Sequence, residues 1–502
     1  MIAQCTRRSV GKRRADKMLG EVERLSLAAL PSPDEEGGRT DTCDSEPANR
    51  RSANPNMTAA AAPATVPARR SLDAIHDAAQ QVRNLRQVLQ DDKQRIGCFL
   101  GAGCPLGIYD AGETKSMVLI PAVVELTNRV AQGLAAKDAA PGSTSKLKEQ
   151  WDSLCEECKP ADGKDPTVED VLTELRTLAH RRGTSEVLGM TKGTLVNLDV
   201  EICGLIAREM SKALPSHRCS YNRFASWIGG LNRLSPVEIF TPNYDLLFEQ
   251  AFEHHPLPHF DGFVGSREPW FDLSSIEHDT IPARWTRLWK LHGSINWEKI
   301  EETTNGVSLT RVVRVTREAA AGKVMIYPSH LKYDQSRRMP YLAMLDRLRA
   351  FFRRNAVTRH GDGDKKGDDA PRLVVCGYSF LDDHLNEVLL DGLRGNHSAQ
   401  CFALMYSKLS DHPRVVECAV KQTNLTVLAT DGAVIGTREG WYRTGTTGGE
   451  EHKPWLYEEK VVTSDPAKPE QQPRCRLGDF HYFGLFLEQL CGGIIPNVHP
   501  PV

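Results

Sequence analysis

The sequence predicts an α/β protein built on a buried parallel sheet, with a helical module inserted after the first strand and a disordered tail at the N-terminus. Three observations carry this. Short apolar runs, each ending in polar or glycine residues, recur through the second half of the chain. Segments with helical 3.6-residue periodicity alternate with them, and residues 1–70 show no hydrophobic periodicity.

Composition sets the outer limits. The 502 residues are 40% hydrophobic and 25% charged, which suits a folded protein of about three units at about 150 residues each. Lys and Arg number 63 against 65 Asp and Glu, a formal charge of −2. The whole chain therefore has no electrostatic bias towards nucleic acid or an anionic membrane, and no direct nucleic-acid binding is expected. No run approaches the eighteen or so apolar residues that cross a bilayer, and the N-terminus lacks a secretory apolar core, so a cytoplasmic protein without membrane contact is expected. Thirteen Cys, several inside apolar runs (Cys98, Cys203, Cys376, Cys401), fit reduced core thiols better than a disulfide framework.

The elements follow in order. Residues 1–70 are rich in Pro, Ala, Ser, Asp and Arg and cannot bury enough apolar surface to offset ordering entropy. Ser71 reads as the cap of a helix bearing Ile75, Ala78, Val82, Leu85 and Leu89 on one face, which leads into a strand from Arg95 to Gly103. Residues 109–235 read as the helical insertion, with helices over Pro121–Leu134, Thr167–His180 and Leu195–Leu214. Strand-like runs then begin at Val237, Leu288, Lys323, Arg372, Cys401 and Leu425, with a helix over Tyr341–Arg354. That helix carries Leu342, Leu345, Leu348 and Phe352 on its core side and Arg337, Arg338, Arg347, Arg349, Arg353 and Arg354 around it, a solvated basic side. Residues 357–371 and 436–476 are polar and read as loops, and Leu477–Leu490 reads as a closing helix. The sheet domain thus comprises residues 71–108 and 236–493.

Four motifs sit at strand ends. Gly101-Ala102-Gly103, followed by Gly107, offers a tight turn with backbone amides suited to a pyrophosphate, although an ordinary βα turn would look the same. Glu125, about 20 positions on, falls in a helical stretch, which weakens a dehydrogenase fingerprint. Thr241-Pro-Asn243-Tyr-Asp245 projects Asn243 and Asp245 from a strand end, and Asx residues there also suit helix capping. His292-Gly-Ser offers an imidazole as general base, against a structural histidine. Gly377-Tyr-Ser379-Phe-Leu-Asp382-Asp-His384 closes a further strand with a tight turn and several polar groups.

In this order the motifs resemble the sirtuin-type NAD-binding domain, and more closely the sirtuin-like NAD hydrolases of bacterial antiphage defence. The resemblance covers about residues 90–490 and implies a Rossmann-like sheet of the sirtuin type with NAD as substrate. By position, Gly101, Ala102 and Gly103 would hold the pyrophosphate, and Thr241, Asn243 and Asp245 would surround the nicotinamide ribose. His292 would be the base, and Gly377, Ser379 and Asp382 would line the adenosine side. The family's Ser after the glycine loop is here Pro105, and the residue before Asn243 is Pro242, which puts the ribose contacts in doubt. The chemistry asks for the same groups: breaking the nicotinamide–ribose bond develops oxocarbenium-like charge, a short amide such as Asn243 positions a water or a ribose hydroxyl, and a base removes a proton. Asp245 would stabilise the cationic ribose or orient Asn243.

Protein-deacylating sirtuins carry a zinc ribbon with two Cys-x-x-Cys pairs after the catalytic histidine. Here Cys155 and Cys158 form the sole such pair, upstream of His292, and Cys203 and Cys219 are sixteen apart. His254-His255-Pro-Leu-Pro-His259 reads as a solvated loop, so no metal is expected. The function expected is hydrolysis of NAD to nicotinamide and ADP-ribose in a defence effector, switched on by a separate sensor protein or by homo-oligomer assembly. The alternatives are an NAD-dependent deacylase and a non-catalytic module that binds NAD or ADP-ribose.

Overall fold

The computed structural model describes residues 74–159, 165–180, 186–233, 235–278, 281–282, 284–304, 307–315, 340–353, 370–445, 454–461 and 470–492. The expected tail, the Ser71 cap, the Lys323 strand, Arg337, Arg338, Arg354 and nearly all of the 357–371 loop lie outside the described residues. Contacts divide the chain into Met1–Arg69 and Arg70–Val502, and the described residues all belong to the second unit.

The strands in chain order are β1 (Ala74–His76), β2 (Arg95–Leu100), β3 (Glu238–Thr241), β4 (His259–Phe260), β5 (Phe263–Val264) and β6 (Trp270–Phe271). They continue as β7 (Thr286–Lys290), β8 (Trp297–Thr304), β9 (Val307–Arg314), β10 (Pro371–Cys376) and β11 (Gln400–Leu404). The last are β12 (Leu425–Leu428), β13 (Gly432–Ile435), β14 (Arg438–Tyr442), β15 (Leu456–Val461) and β16 (Glu470–Cys475). Ten of them form one sheet in the order β1-β14-β13-β12-β11-β10-β2-β3-β7-β4. Pairing is parallel from β12 through to β4, and β13 alone in this sheet runs against its two neighbours.

The chain moves from β2 to β3 and β7 on one side, then returns to the other side of β2 for β10, β11 and β12. This is the Rossmann strand order, and its reversal falls between β2 and β10. Successive side chains on these strands feed opposite faces, because the strand period is two. Cys98, Leu100, Ile239, Leu288, Val374 and Cys376 enter one core, shared with helices Ala78–Gln90, Ser220–Gly229, Leu247–His254 and Phe480–Leu490. Phe99, Phe240, Trp289, Leu373 and Val375 enter a second core, under helices Tyr341–Phe352, Asp383–Gly395 and Pro413–Ala419. Burial on both faces is why these strands read as continuous apolar runs.

The expected insertion contains helices Val123–Asp138, Leu147–Glu157, Val168–His180 and Lys192–Met210, whose apolar sides join the first core. The start signal at Thr167 is realised: its amide and hydroxyl both donate to Asp170 Oδ2, each at 2.8 Å. Cys98, Cys203, Cys376 and Cys401 are buried free thiols, as composition implies. On helix Tyr341–Phe352, Leu345, Leu348 and Phe352 are buried, whereas Leu342 is only partly covered.

Three expectations are corrected. The first helix begins at Ala78, not near Ser71, because Asp77 caps it through a 2.8 Å bond from the Gln80 amide. Ile75 lies instead in β1, paired with Trp441 and largely exposed. The polar segment 436–476 is not all loop, since β14, β15 and β16 fall within it. The histidine-rich stretch is not a free loop either, because His254 ends a helix and His259 opens β4 beside β7.

A buried ion cluster ties distant segments together. Arg223 contacts Glu113 and, through Nε at 2.8 Å, Glu488 of the last helix. Arg223→Ala removes the cation that Glu113 and Glu488 share, while Glu488 keeps Arg218 at 2.7 Å, so we expect a loss on the order of 3 kcal/mol in urea unfolding.

Candidate functional site

The site lies at the carboxyl edge of the sheet, where the strand order reverses and open α/β sheets hold ligands. Two backbone loops meet there. The Gly101 amide donates to the Cys376 carbonyl at 3.0 Å and the Gly103 amide to the Gly377 carbonyl at 2.8 Å. These two amides are therefore engaged, in contrast to the bare turn expected from sequence, while Ala102 between them is exposed. A Cβ on Gly101 would lie 2.8 Å from Tyr378 Cα, and one on Gly103 would lie 2.8 Å from Gly377 Cα. The glycines are thus required first by the contact between loops. Gly107 ends a 3₁₀ turn that begins at Cys104, and Pro105 occupies a position there where its missing N–H costs nothing. Burial raises the Cys104 thiol far above the ordinary range, which disfavours the thiolate form that a nucleophile needs.

β2 and β3 lie side by side, and their ends are locked by hydroxyl and amide groups. Thr241, fully buried, donates its hydroxyl to the Leu100 carbonyl at 2.7 Å and accepts the Asn243 amide at 3.1 Å. Asn243 Nδ2 donates to the Gly101 carbonyl at 3.0 Å, so its side chain bridges to the glycine loop. Asp245 accepts the Leu247 amide at 3.0 Å, but it lies one residue before the N-cap, Leu246, and the helix has no side-chain cap, so the capping role weighed from sequence is not realised. Burial raises the Asp245 carboxyl to about 6, partly offset by Lys290.

β3 and β7 are paired with Thr241 opposite Lys290. Asn243 and His292 each lie two residues past that pair, at the same edge on neighbouring strands, whose spacing is about 4.8 Å. The two strand ends are laced: the Leu291 amide donates to the Thr241 carbonyl at 2.8 Å and the Ile295 amide to the Tyr244 carbonyl at 3.0 Å. Gly293 makes the turn at a φ of 88°, where a side chain would be strained. Lys290, only 1% exposed, pairs with Glu249 at 2.8 Å and donates to the Asp245 carbonyl and to Ser294 Oγ.

His292 is buried, and its Nε2 lies 3.0 Å from His384 Nε2. Asp382 joins them: one ligand atom from each of His292, Asp382 and His384 lies within 4.8 Å of the others, a set of types that could hold a metal ion. Asp382 therefore stands beside His292. Ser379 is exposed on the turn after β10. That turn is braced by Asn386, which donates to the Phe380 carbonyl at 2.8 Å and accepts the Tyr378 hydroxyl at 2.8 Å. Phe380 is fully buried at a φ of 57°, an uncommon conformation for a bulky residue.

His384, Lys290 and Asn386 are the participants that sequence reasoning left without a role. The first sits in a quoted motif two residues after Asp382, which was the available signal.

Residues 237–428 match the family model described as a SIR2-like domain. The match spans Asn243, Asp245, His292 and the 377–384 turn, whereas the Gly101–Gly103 loop precedes it. It supports a sirtuin-like family and fits NAD-related chemistry in general. No curated protein matches the chain. Among the described residues no helix is long and apolar enough to cross a membrane.

Two outcomes follow from the geometry. Gly377 has a φ of 67°, and a Cβ there would lie 2.6 Å from the Cys104 amide nitrogen. Gly377→Ala should cost on the order of 2–4 kcal/mol, read as a lowered thermal midpoint. The folded protein holds the Asp245 proton up to about pH 6, above its ordinary value of 3.8, so ionising it is a cost that grows as pH rises between these values. Relative to wild type, Asp245→Asn should gain stability over that interval, by ~3 kcal/mol at most, measured by urea unfolding at a series of pH values.

Proposed function

We propose that this protein is an NAD hydrolase that cleaves the nicotinamide–ribose bond. The observation that carries the reading is the placement of Asn243 and His292, each two residues beyond the Thr241–Lys290 pair on adjacent strands and beside the glycine loops at the strand-order reversal. Water adds to the anomeric carbon while the carbon–nitrogen bond breaks, its electron pair leaving with nicotinamide; the other product is ADP-ribose. Asn243, held by Gly101 and Thr241, positions the water, and His292 takes its proton.

In this reading Gly101, Ala102 and Gly103 approach the pyrophosphate, and Gly377 and Ser379 line the adenosine side. Thr241 and Asp245 act as positioning residues: the first is fully buried with its hydroxyl engaged by backbone, and the second accepts the amide of Leu247, which opens the helix after Asn243. Asp382 stands with the base. The motif order supports the further reading of a cytoplasmic effector that depletes NAD in antiphage defence, activated by a sensor protein or by homo-oligomer assembly.

A hydrolase is favoured over a deacylase because the Cys155–Cys158 pair ends the helix Leu147–Glu157 instead of following His292. Among the described residues neither thiol joins a group of three or more metal-ligating side chains. Purified protein incubated with NAD and no acyl peptide should release nicotinamide and ADP-ribose, followed by mass spectrometry. Asn243→Ala and His292→Ala should each lower turnover by about 10²-fold or more. Turnover that requires an acyl peptide, or that survives both substitutions, would refute the reading.

A further inference from the structure

We propose that His292, Asp382 and His384 form a two-histidine, one-carboxylate site for a divalent transition-metal cation of the zinc and cobalt class. The donor set selects such ions, since imidazole suits zinc, copper, iron and nickel while a carboxylate supplies a compensating charge. The sequence expectation of no metal weighed the Cys-x-x-Cys pair and the His254–His259 stretch; the fold brings together a different set.

The geometry is partly prepared. With metal–nitrogen bonds of about 2.0–2.1 Å, two imidazole nitrogens on one ion lie about 2.9 Å apart at a right angle and about 3.4 Å apart in a tetrahedron. His292 Nε2 and His384 Nε2 are 3.0 Å apart. An oxygen of Asp382 completes a group whose ligand atoms, one from each residue, all lie within 4.8 Å of one another, so closing it on an ion asks for side-chain rotation and no movement of the backbone elements. Two separate segments supply the ligands: His292 follows β7, while Asp382 and His384 flank the start of helix Asp383–Gly395. His292 is buried and the other two are partly exposed, which gives the ion one protected side and one approach.

Binding needs a lone pair from each Nε2. In the metal-free protein one of these nitrogens carries the proton of the His292–His384 hydrogen bond, so the cation displaces that proton to Nδ1 or to solvent. A cation seated there also removes the lone pair that the proposed hydrolysis asks of His292, and would inhibit it. This consequence rests on the NAD-hydrolase reading, whereas binding does not.

The test is titration of the metal-free full chain with Co²⁺, followed by visible d–d absorption, and with Zn²⁺ by calorimetry. Expected is saturable 1:1 binding without the intense near-ultraviolet band of thiolate ligation, weakened at least tenfold by His384→Gln and by Asp382→Asn, both with the thermal midpoint of the wild type. Absence of saturable binding, binding unchanged by both substitutions, or a dominant thiolate band would overturn the site. NAD turnover with and without Zn²⁺, restored by a chelator, is read alongside. Undiminished turnover in the zinc-saturated protein would overturn the inhibition. Absence of turnover in metal-free protein would instead count against the hydrolase reading, while the Co²⁺ titration still decides the site.

Discussion

The close approach of two backbones at the strand-order reversal constrains everything around it. Gly101 and Gly103 press against Gly377 so tightly that their amides donate to the carbonyls of residues 376 and 377. This contact fixes the Gly101 carbonyl in turn, and that oxygen is what holds the Asn243 side chain. A main-chain requirement on one side of the reversal is thereby converted into the orientation of a side chain on the other. Since Thr241 also ties β3 to the Leu100 carbonyl, the amide of Asn243 is defined by two strands rather than by its own loop.

Charge burial plays the corresponding part on the next strand. Lys290 takes an ammonium group into the interior, where it is stable only because Glu249, Ser294 and the Asp245 carbonyl surround it. The same lysine connects the segment that carries Asn243 to the segment that carries His292. The electrostatic demand of one buried cation thus keeps two strand ends together, and the adjacency of the amide and the imidazole follows from packing as much as from the sheet.

The parts visible in the sequence are those whose signal is local. The parallel strands beginning near Val237, Leu288, Arg372, Cys401 and Leu425 announce themselves as apolar runs because both of their faces are buried, and Asn243 and His292 stand out because they follow such runs directly. β14, β15 and β16 lie in a stretch that reads as loop because strands of such polar composition have no apolar run to display. The β8–β9 hairpin was missed despite the Asn305-Gly306 dipeptide between its strands, a strong turn signal. His384 lacked a role because its partner is 92 residues away, and Lys290 because a buried lysine looks like a surface one until its anions are located. The amides of Gly101 and Gly103 looked open because the carbonyls that occupy them belong to a distant strand.

The brace that Asn386 places across the Phe380 turn has a kinetic meaning. A turn whose shape is already set by its own hydrogen bonds has little conformational freedom left to forfeit in any contact made across it, so association with such a surface needs no ordering step there.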